Sequence, residues 1–180
     1  MRRALVLLAD HELNASTFAT RIAISTGASL PAGVSAGLAT LAGPRHGSAA
    51  ESVLALVANA AHHGAPTAVQ QWRDVGRAFI GFGHPLYPEG DARAKALLGA
   101  ITVSPLHREV ASHVEQLTGE APNVDFALAI LTLELGLPAH APVALFALSR
   151  CVGWLAHALE QAQTGQLIRP RARYVGPKPD

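Results

Sequence analysis

Four short polar segments interrupt otherwise apolar sequence, and each carries side chains that can move a proton or hold an anion. They are residues 10–12 (Asp-His-Glu), 43–47 (Gly-Pro-Arg-His-Gly), 81–84 (Gly-Phe-Gly-His) and 123–126 (Asn-Val-Asp-Phe). Histidine and aspartate are common general acids and bases, and glycine lets the backbone approach a ligand closely. These four segments are therefore the candidate places for chemistry.

Two of these side chains, His46 and Asp125, stand at predicted helix starts. His46 precedes Ser48, which opens a Ser-x-x-Glu capping box, so the positive end of the helix dipole favours a neutral imidazole that donates a hydrogen bond. Asp125 follows Asn123 in a first turn, where the same field favours an ionised carboxylate. A neutral donor paired with an ionised base is what the enolisation of a weakly acidic thioester requires.

Each segment also has a purely structural interpretation. A histidine beside a glycine is more often a turn residue than a catalyst. Asp125 could do no more than complement the dipole of its own helix. The residues taken singly leave both interpretations open.

The elements that must position these segments are predicted to be helices, because apolar residues recur at helical spacing between Gly, Pro and capping residues. Strand signals are nearly absent, so the predicted fold class is all-α. The predicted helices cover about residues 14–26, 31–41, 48–63, 67–76, 91–98, 106–117, 123–135 and 143–161, and an extended arm follows from Leu167.

Composition limits the class of protein. Hydrophobic residues make up 49% and charged residues only 15% of the chain, against a usual charged share of about 25%, which predicts association with another chain. Cys151 is the single cysteine, so it is predicted to be a small buried side chain rather than part of a disulfide or cysteine metal cage.

The basic cluster Arg169, Arg171 and Arg173 is too short to indicate nucleic acid binding. Polar residues break every apolar run, which predicts a soluble, cytoplasmic protein without a membrane span.

Taken in order, these segments resemble the citrate synthase family. Six blocks in the family's order cover almost the whole chain, which is more specific than any single motif. The resemblance implies a truncated, all-α, citrate-synthase-like fold. In it, residues 45–126 form a small helical domain inserted into the remnant of a large domain, residues 1–44 and 127–180. The blocks are residues 8–17, 41–47, 81–84, 123–126, 146–157 and 168–174.

The resemblance also implies a role for each candidate residue in condensing acetyl-CoA with oxaloacetate. His46 hydrogen-bonds the thioester oxygen, Asp125 removes a methyl proton, and His84 polarises the keto carbonyl. Oxaloacetate is held by His11, Arg93, Arg150 and Arg169, the last of which reaches into a neighbouring subunit. The coenzyme A thioester is a substrate, and neither a metal nor a further cofactor is implied. The implied CoA-binding residues are Phe79, Ile80, Gly81, Phe82 and Gly83.

The chain departs from the family in length and at single positions. It matches the C-terminal half, so the expected partner is a second copy or a chain that supplies the N-terminal half. Pro88 replaces a basic residue that many members place near the CoA phosphates, and Leu8 replaces a second histidine.

Several alternatives stay open beside acetyl-CoA condensation. The chain could use propionyl-CoA, run as a citryl-CoA lyase, or be a non-catalytic paralogue that regulates a full-length relative by mixed association. Metal binding is disfavoured because no His-x-x-x-His or Cys-x-x-Cys spacing occurs. The Gly81 and Gly83 pair lacks the third glycine of a dinucleotide fingerprint, and Ser149 lacks a hydrolase elbow.

Overall fold

The computed structural model describes residues 1–43 and 49–177. Over these residues the chain folds into helices, with one isolated bridge between Phe82 and Pro122 and no strand, so the all-α prediction is confirmed. The helices are α1 Arg2–Leu8, α2 Ala15–Ser25, α3 Leu30–Leu41, α4 Ala49–His63, α5 Ala65–Asp74, α6 Ala92–Leu98, α7 Pro105–Thr118, α8 Val124–Glu134 and α9 Ala141–Thr164.

Local sequence explains where the site-bearing helices begin. Asn14, Asp91 and Asn123 cap α2, α6 and α8 through side-chain oxygens that accept backbone N–H groups. Helices α5 and α9 begin two residues earlier than predicted, because Pro66 and Pro142 stand in their first turns, where a proline costs no hydrogen bond. The predicted capping box at Ser48 lies outside the described residues.

Helix α1 was not predicted, because its seven residues are too few to give a periodic signal. Ala4 and Leu8, one turn apart, are fully buried against α6 and α9. Gly153 of α9 lets the end of α1 approach, since a Cβ there would collide with the carbonyl of Ala9. Segment 10–12 is therefore held close to the middle of α9.

Two apolar cores lie on either side of α8. The first joins α4, α5 and α7 to Phe126 and Ile130, and the second joins α1, α6 and α9 to Leu128 and Leu131. All seven residues from 126 to 132 are at most 1% exposed, so most of α8 is packed between the two cores. The domain division predicted near residue 126 falls inside this shared helix and stays a prediction.

Helix α9 is long and apolar enough to cross a membrane by length and composition, which the sequence analysis did not expect. Core helices of globular proteins pass the same test. Here α9 packs against α1, α2, α3 and α8 and carries the buried polar residues Ser149, Arg150 and Gln161. One side of α9 is therefore packed within the fold. Cys151, on the same helix, is half-buried rather than buried as predicted.

Candidate active site

A cleft of about 760 Å³ opens where the α1–α2 loop, the end of α3, the loop before α6, the start of α8 and the middle of α9 meet. Five predicted site residues line it: His11, His84, Arg93, Asp125 and Arg150. These residues come from segments up to 139 positions apart in sequence, so only the tertiary fold brings them together. The predicted catalytic residue His46 lies outside the described residues, although Gly43 at the edge of that gap lines the cleft.

Asn123 fixes the start of α8 and thereby Asp125. Its side-chain oxygen accepts the N–H groups of Asp125 at 3.0 Å and Phe126 at 3.4 Å. Its side-chain amide donates to the carbonyl oxygens of Ile80 at 2.9 Å and Gly83 at 3.0 Å. One buried asparagine therefore ties the first turn of α8 to the loop that precedes His84.

Asp125 is a carboxyl group whose pKa is set mainly by burial. Burial raises its pKa to about 6; the positive charge of Arg93 opposes the rise and the negative charge of Asp91 adds to it. The helix dipole was predicted to favour the ionised form of Asp125, and burial outweighs that field. At neutral pH the carboxylate is still mostly ionised, and it is a stronger base than an ordinary aspartate.

His84 has a defined tautomer. Its Nδ1 accepts a hydrogen bond from the backbone N–H of Leu86 at 3.1 Å, so Nδ1 carries no proton and the neutral ring has its proton on Nε2. Burial and then the charge of Arg93 lower the pKa of His84, with Asp91 opposing. His84 is thus a neutral N–H donor in the cleft, as polarising a carbonyl requires.

His11 is also held neutral. Burial, followed by the charges of Arg93, His84 and Arg150, lowers its pKa to about 4, with Asp91 opposing. Its ring meets that of His84 edge-on, with the ring centroids 5.2 Å apart. Two uncharged imidazoles therefore stand side by side in the cleft.

Arg93 is held by Asp91. The guanidinium Nε and Nη2 donate to the two Asp91 carboxylate oxygens at 3.0 and 2.8 Å. The same carboxylate accepts the N–H of Arg93 at 2.9 Å and of Val124 at 3.0 Å, and so joins the starts of α6 and α8. Burial acts to raise the pKa of Asp91, but the hydrogen bonds and charge of Arg93 and the N–H of Val124 lower it overall.

Arg150 is a buried cation without a carboxylate partner among the described residues. It is 1% exposed, its Nε donates to the Leu8 carbonyl oxygen at 2.9 Å, and its guanidinium lies 4.8 Å from the centre of the Phe146 ring. One of its amino groups, Nη2, has no hydrogen-bond partner there. Burial lowers the pKa of Arg150 to about 10, with Asp10 opposing and Arg93 adding, so it is charged at neutral pH. A substrate carboxylate in the cleft would accept a hydrogen bond from this Nη2 group and pair with its positive charge.

Two predicted groups lie away from the cleft. Arg169 is exposed in the extended arm after α9. Of the predicted CoA residues, Gly81 and Phe82 are buried and Ile80 is half exposed, and Phe82 and Gly83 line a second cleft of about 530 Å³ beside His84. Phe79 packs against the core that contains Phe82.

Two residues that shape this site were not predicted from the sequence as site residues. Asp91 stands at the start of the helix predicted over residues 91–98, and its pairing with Arg93 could have been suspected from the Asp-x-Arg spacing. Tyr87, which contacts His11, left no signal, because the two residues are 76 positions apart. Within residues 1–43 and 49–177, no three His, Cys, Asp or Glu side chains come together as a metal site.

Comparison with known proteins places this geometry in context. Residues 1–171 match the family described as "Citrate synthase, C-terminal domain". "Citrate synthase 2" of Bacillus subtilis is 39% identical over 97% of this chain and 50% of its own length. The ternary complex of carboxymethyl coenzyme A and oxaloacetate with citrate synthase from Thermoplasma acidophilum matches with a TM-score of 0.82 and 35% identity, over 98% of this chain and 51% of that one. Citryl-CoA lyase from Hydrogenobacter thermophilus matches with a TM-score of 0.86 and 25% identity, over 99% of this chain and 77% of that one. The chain spans about half the length of the curated relatives it matches.

Proposed function

Because the chain belongs to the citrate synthase family, we propose that it joins acetyl-CoA to oxaloacetate and releases citrate and CoA. The observation that carries the proposal is the combination in one cleft of a base with pKa about 6, Asp125, and the buried cation Arg150 with an unmet hydrogen-bond donor. A base of that strength suits removal of a methyl proton, and the cation suits a carboxylate substrate.

Oxaloacetate binds first in this proposal. Its carboxylates pair with Arg150 and Arg93, which lie in the same cleft, and His11 holds the molecule between them. The Nε2–H of His84 donates to the keto oxygen and draws electrons from the keto carbon. This chain matches about half of the solved citrate synthase that has oxaloacetate bound, which supports oxaloacetate as the proposed substrate.

The acetyl group then reacts. Asp125 takes a proton from the methyl carbon, and a hydrogen bond donated by His46 to the thioester oxygen stabilises the resulting enolate. The enolate carbon attacks the keto carbon as the carbon–oxygen π bond of the ketone breaks, and the Nε2–H of His84 stabilises the negative charge that develops on the former keto oxygen. That oxygen takes up a proton from water, and Asp125 releases the methyl proton to water and is ionised again. Water then cleaves the thioester of citryl-CoA and CoA leaves as a free thiol. The loop Phe79, Ile80, Gly81, Phe82 and Gly83 lies along the CoA, and the second cleft next to it supports that role.

The site is proposed to work in an association of chains. Helix α9 exposes an apolar stripe, spaced by four, three and four residues, that no described part of this chain covers: Leu148, Val152, Leu155 and Leu159, exposed by 66, 62, 38 and 52%. Such a row is typical of a helix that packs on another helix. The partner is a second copy or a chain that supplies the half absent from this one, and a cytoplasmic location is part of the same proposal.

Replacing part of this stripe is expected to weaken association. Leu148→Gln with Val152→Ser should raise the dissociation constant of the assembly about 100-fold or more, because two apolar side chains of this size contribute about 3 kcal/mol when buried. Sedimentation equilibrium measures this. Val75→Ser is the matched control, since Val75 is 70% exposed just after α5, away from the stripe. An unchanged mass for the double variant contradicts a role for α9 in association.

Arg169 is expected to serve the site of a neighbouring subunit. Arg169→Ala should raise the KM for oxaloacetate, because a charge-assisted hydrogen bond to a carboxylate is lost. A 1:1 mixture with Asp125→Asn chains should recover about a quarter of the wild-type rate, because half of the dimers are mixed and each mixed dimer has one intact site. Absence of recovery, with mixed dimers verified by mass spectrometry, contradicts a shared site.

A second candidate is cleavage of citryl-CoA to acetyl-CoA and oxaloacetate. It is favoured by the solved citryl-CoA lyase, of which this chain spans 77%, a larger share than the half it spans of the citrate synthases. Cleavage of the carbon–carbon bond, the reverse of the condensation, would use the same Asp125 and His84. Supplying citryl-CoA separates the two: a lyase yields acetyl-CoA and oxaloacetate without free thiol, whereas a synthase releases CoA thiol and citrate. Propionyl-CoA in the synthetic direction tests the choice of acyl group.

A further inference from the structure

Tyr87 contacts three residues of the first cleft, His11, His84 and Arg93, from outside that cleft. Its hydroxyl oxygen lies 3.0 Å from His11 Nε2. Its ring centroid is 4.9 Å from that of His84 and 5.6 Å from that of His11, and the Arg93 guanidinium carbon is 5.1 Å above its ring. Tyr87 itself lines the second cleft and not the first. It therefore contacts the residues that hold substrate without reaching the substrate space.

The direction of the Tyr87–His11 hydrogen bond follows from donor and acceptor strengths. A neutral imidazole has one protonated and one unprotonated nitrogen. A phenol is a better donor than acceptor, and the Arg93 cation over the ring of Tyr87 strengthens its donation further. His11 Nε2 is the one partner of the hydroxyl among the described residues, so donation in this direction satisfies both groups.

We propose that Tyr87 is a positioning residue whose hydroxyl donates to His11 Nε2 and holds His11 in the tautomer with its proton on Nδ1. His84 has the opposite tautomer, because the backbone N–H of Leu86 occupies its Nδ1. The two neighbouring histidines therefore offer N–H donors from different ring positions. The low pKa of His11 agrees with a ring that stays neutral throughout.

The same contact sets the distance between two loops. It joins the α1–α2 loop to the loop before α6, and Tyr87 also supports the Arg93 guanidinium. The consequence for catalysis rests on the proposed function: without the hydroxyl, the proton of His11 moves to Nε2, and Nδ1 no longer offers an N–H donor to oxaloacetate. The tautomer itself does not depend on that function.

The test is long-range ¹H–¹⁵N NMR of the imidazoles in the full chain at pH 7 without substrate. The His11 signals are assigned by their loss in His11→Gln. The expected wild-type result is a protonated Nδ1 and an unprotonated Nε2 at His11. Tyr87→Phe, which keeps the ring, should move His11 towards a protonated Nε2, while His84 keeps its tautomer as an internal reference. Tyr174→Phe, at the other and exposed tyrosine, should change neither histidine.

Two spectral results would overturn the proposal: a protonated Nε2 at His11 in the wild type, or an unchanged His11 in Tyr87→Phe. In an active assembly, Tyr87→Phe should raise the KM for oxaloacetate about three- to ten-fold, the value of one neutral hydrogen bond, with a smaller change in kcat. Equal KM values would contradict the positioning role. If the chain shows no turnover, the spectra still decide the tautomer, so failure of the proposed function and failure of this inference are distinct.

Discussion

Asp125→Asn is expected to lower kcat by about 10²- to 10⁴-fold, the usual contribution of a positioned general base. The amide has nearly the same shape and can keep the place of the side chain in the first turn of α8. It cannot accept the methyl proton. CoA binding, measured by calorimetry, should change little, since the loop from Phe79 to Gly83 is untouched. Glu51→Gln is the control: Glu51 is also an acid in a helix first turn, on α4, but it is exposed.

The pH dependence of this prediction has a definite sign. The base must be ionised, and burial raises the pKa of Asp125 to about 6, so the wild-type rate should fall as pH drops through 6.

The stability of the fold should also depend on pH through Asp125, because a carboxyl whose pKa is raised by folding binds its proton more tightly in the folded state. Its contribution to stability is therefore lost as pH rises from about 4 through 6. Asp125→Asn should accordingly unfold at a higher temperature than the wild type at pH 7.5, and the difference should shrink towards pH 4. Turnover at the wild-type rate in Asp125→Asn would contradict its role as the base.

Asp91→Asn is expected to destabilise the fold by about 3 kcal/mol, because it leaves Arg93 without its charged partner in a largely buried place. Asp91 is 2% exposed and accepts hydrogen bonds from Arg93 and from the N–H of Val124. Its loss therefore loosens both Arg93 and the first turn of α8. Urea denaturation followed by circular dichroism measures the free energy of unfolding, and the KM for oxaloacetate should rise in parallel.

Asp74→Asn is the matched control for Asp91→Asn. Asp74 also faces an arginine, Arg73 at 3.9 Å, but both side chains are more than half exposed, so the expected change is less than about 1 kcal/mol. The pKa of Asp91 is lowered by folding, so its stabilisation is complete above the unfolded value near 4 and is lost as pH falls below it. Asp91→Asn should therefore approach the wild-type stability in strong acid. Equal losses of unfolding free energy from the two substitutions at pH 7 would contradict a stabilising role for the buried contacts of Asp91 with Arg93 and Val124.

The features that sequence predicted well are those with a local physical cause. Asn14, Asp91 and Asn123 have capping side chains, and each cap sits where a helix begins. Gly-rich and Asn-Val-Asp segments were expected to hold chemistry, and the fold brings His84 and Asp125 into one cleft. The roles of these residues, which the residue types alone left open, were implied by the resemblance in six ordered blocks and stay predictions.

The features that sequence did not predict depend on contacts between distant segments. The pKa of Asp125 follows its burial among α3, α4 and α9, which no first-turn argument contains. The neutral state of His11 depends mainly on its burial and on Arg93 and His84, more than 70 residues away. The Tyr87 contact likewise needs two loops to meet. Helix dipoles and caps are local, whereas desolvation and charge–charge energies come from packing.

The most direct test of the central claim is release of free CoA thiol from acetyl-CoA, with and without oxaloacetate, by the purified chain in a measured oligomeric state. Asp125→Asn serves as the blank. We expect oxaloacetate-dependent release above the blank, from the chain alone or after addition of the N-terminal half of a relative. No release above the blank from either folded preparation would contradict the proposal that this cleft condenses acetyl-CoA with oxaloacetate.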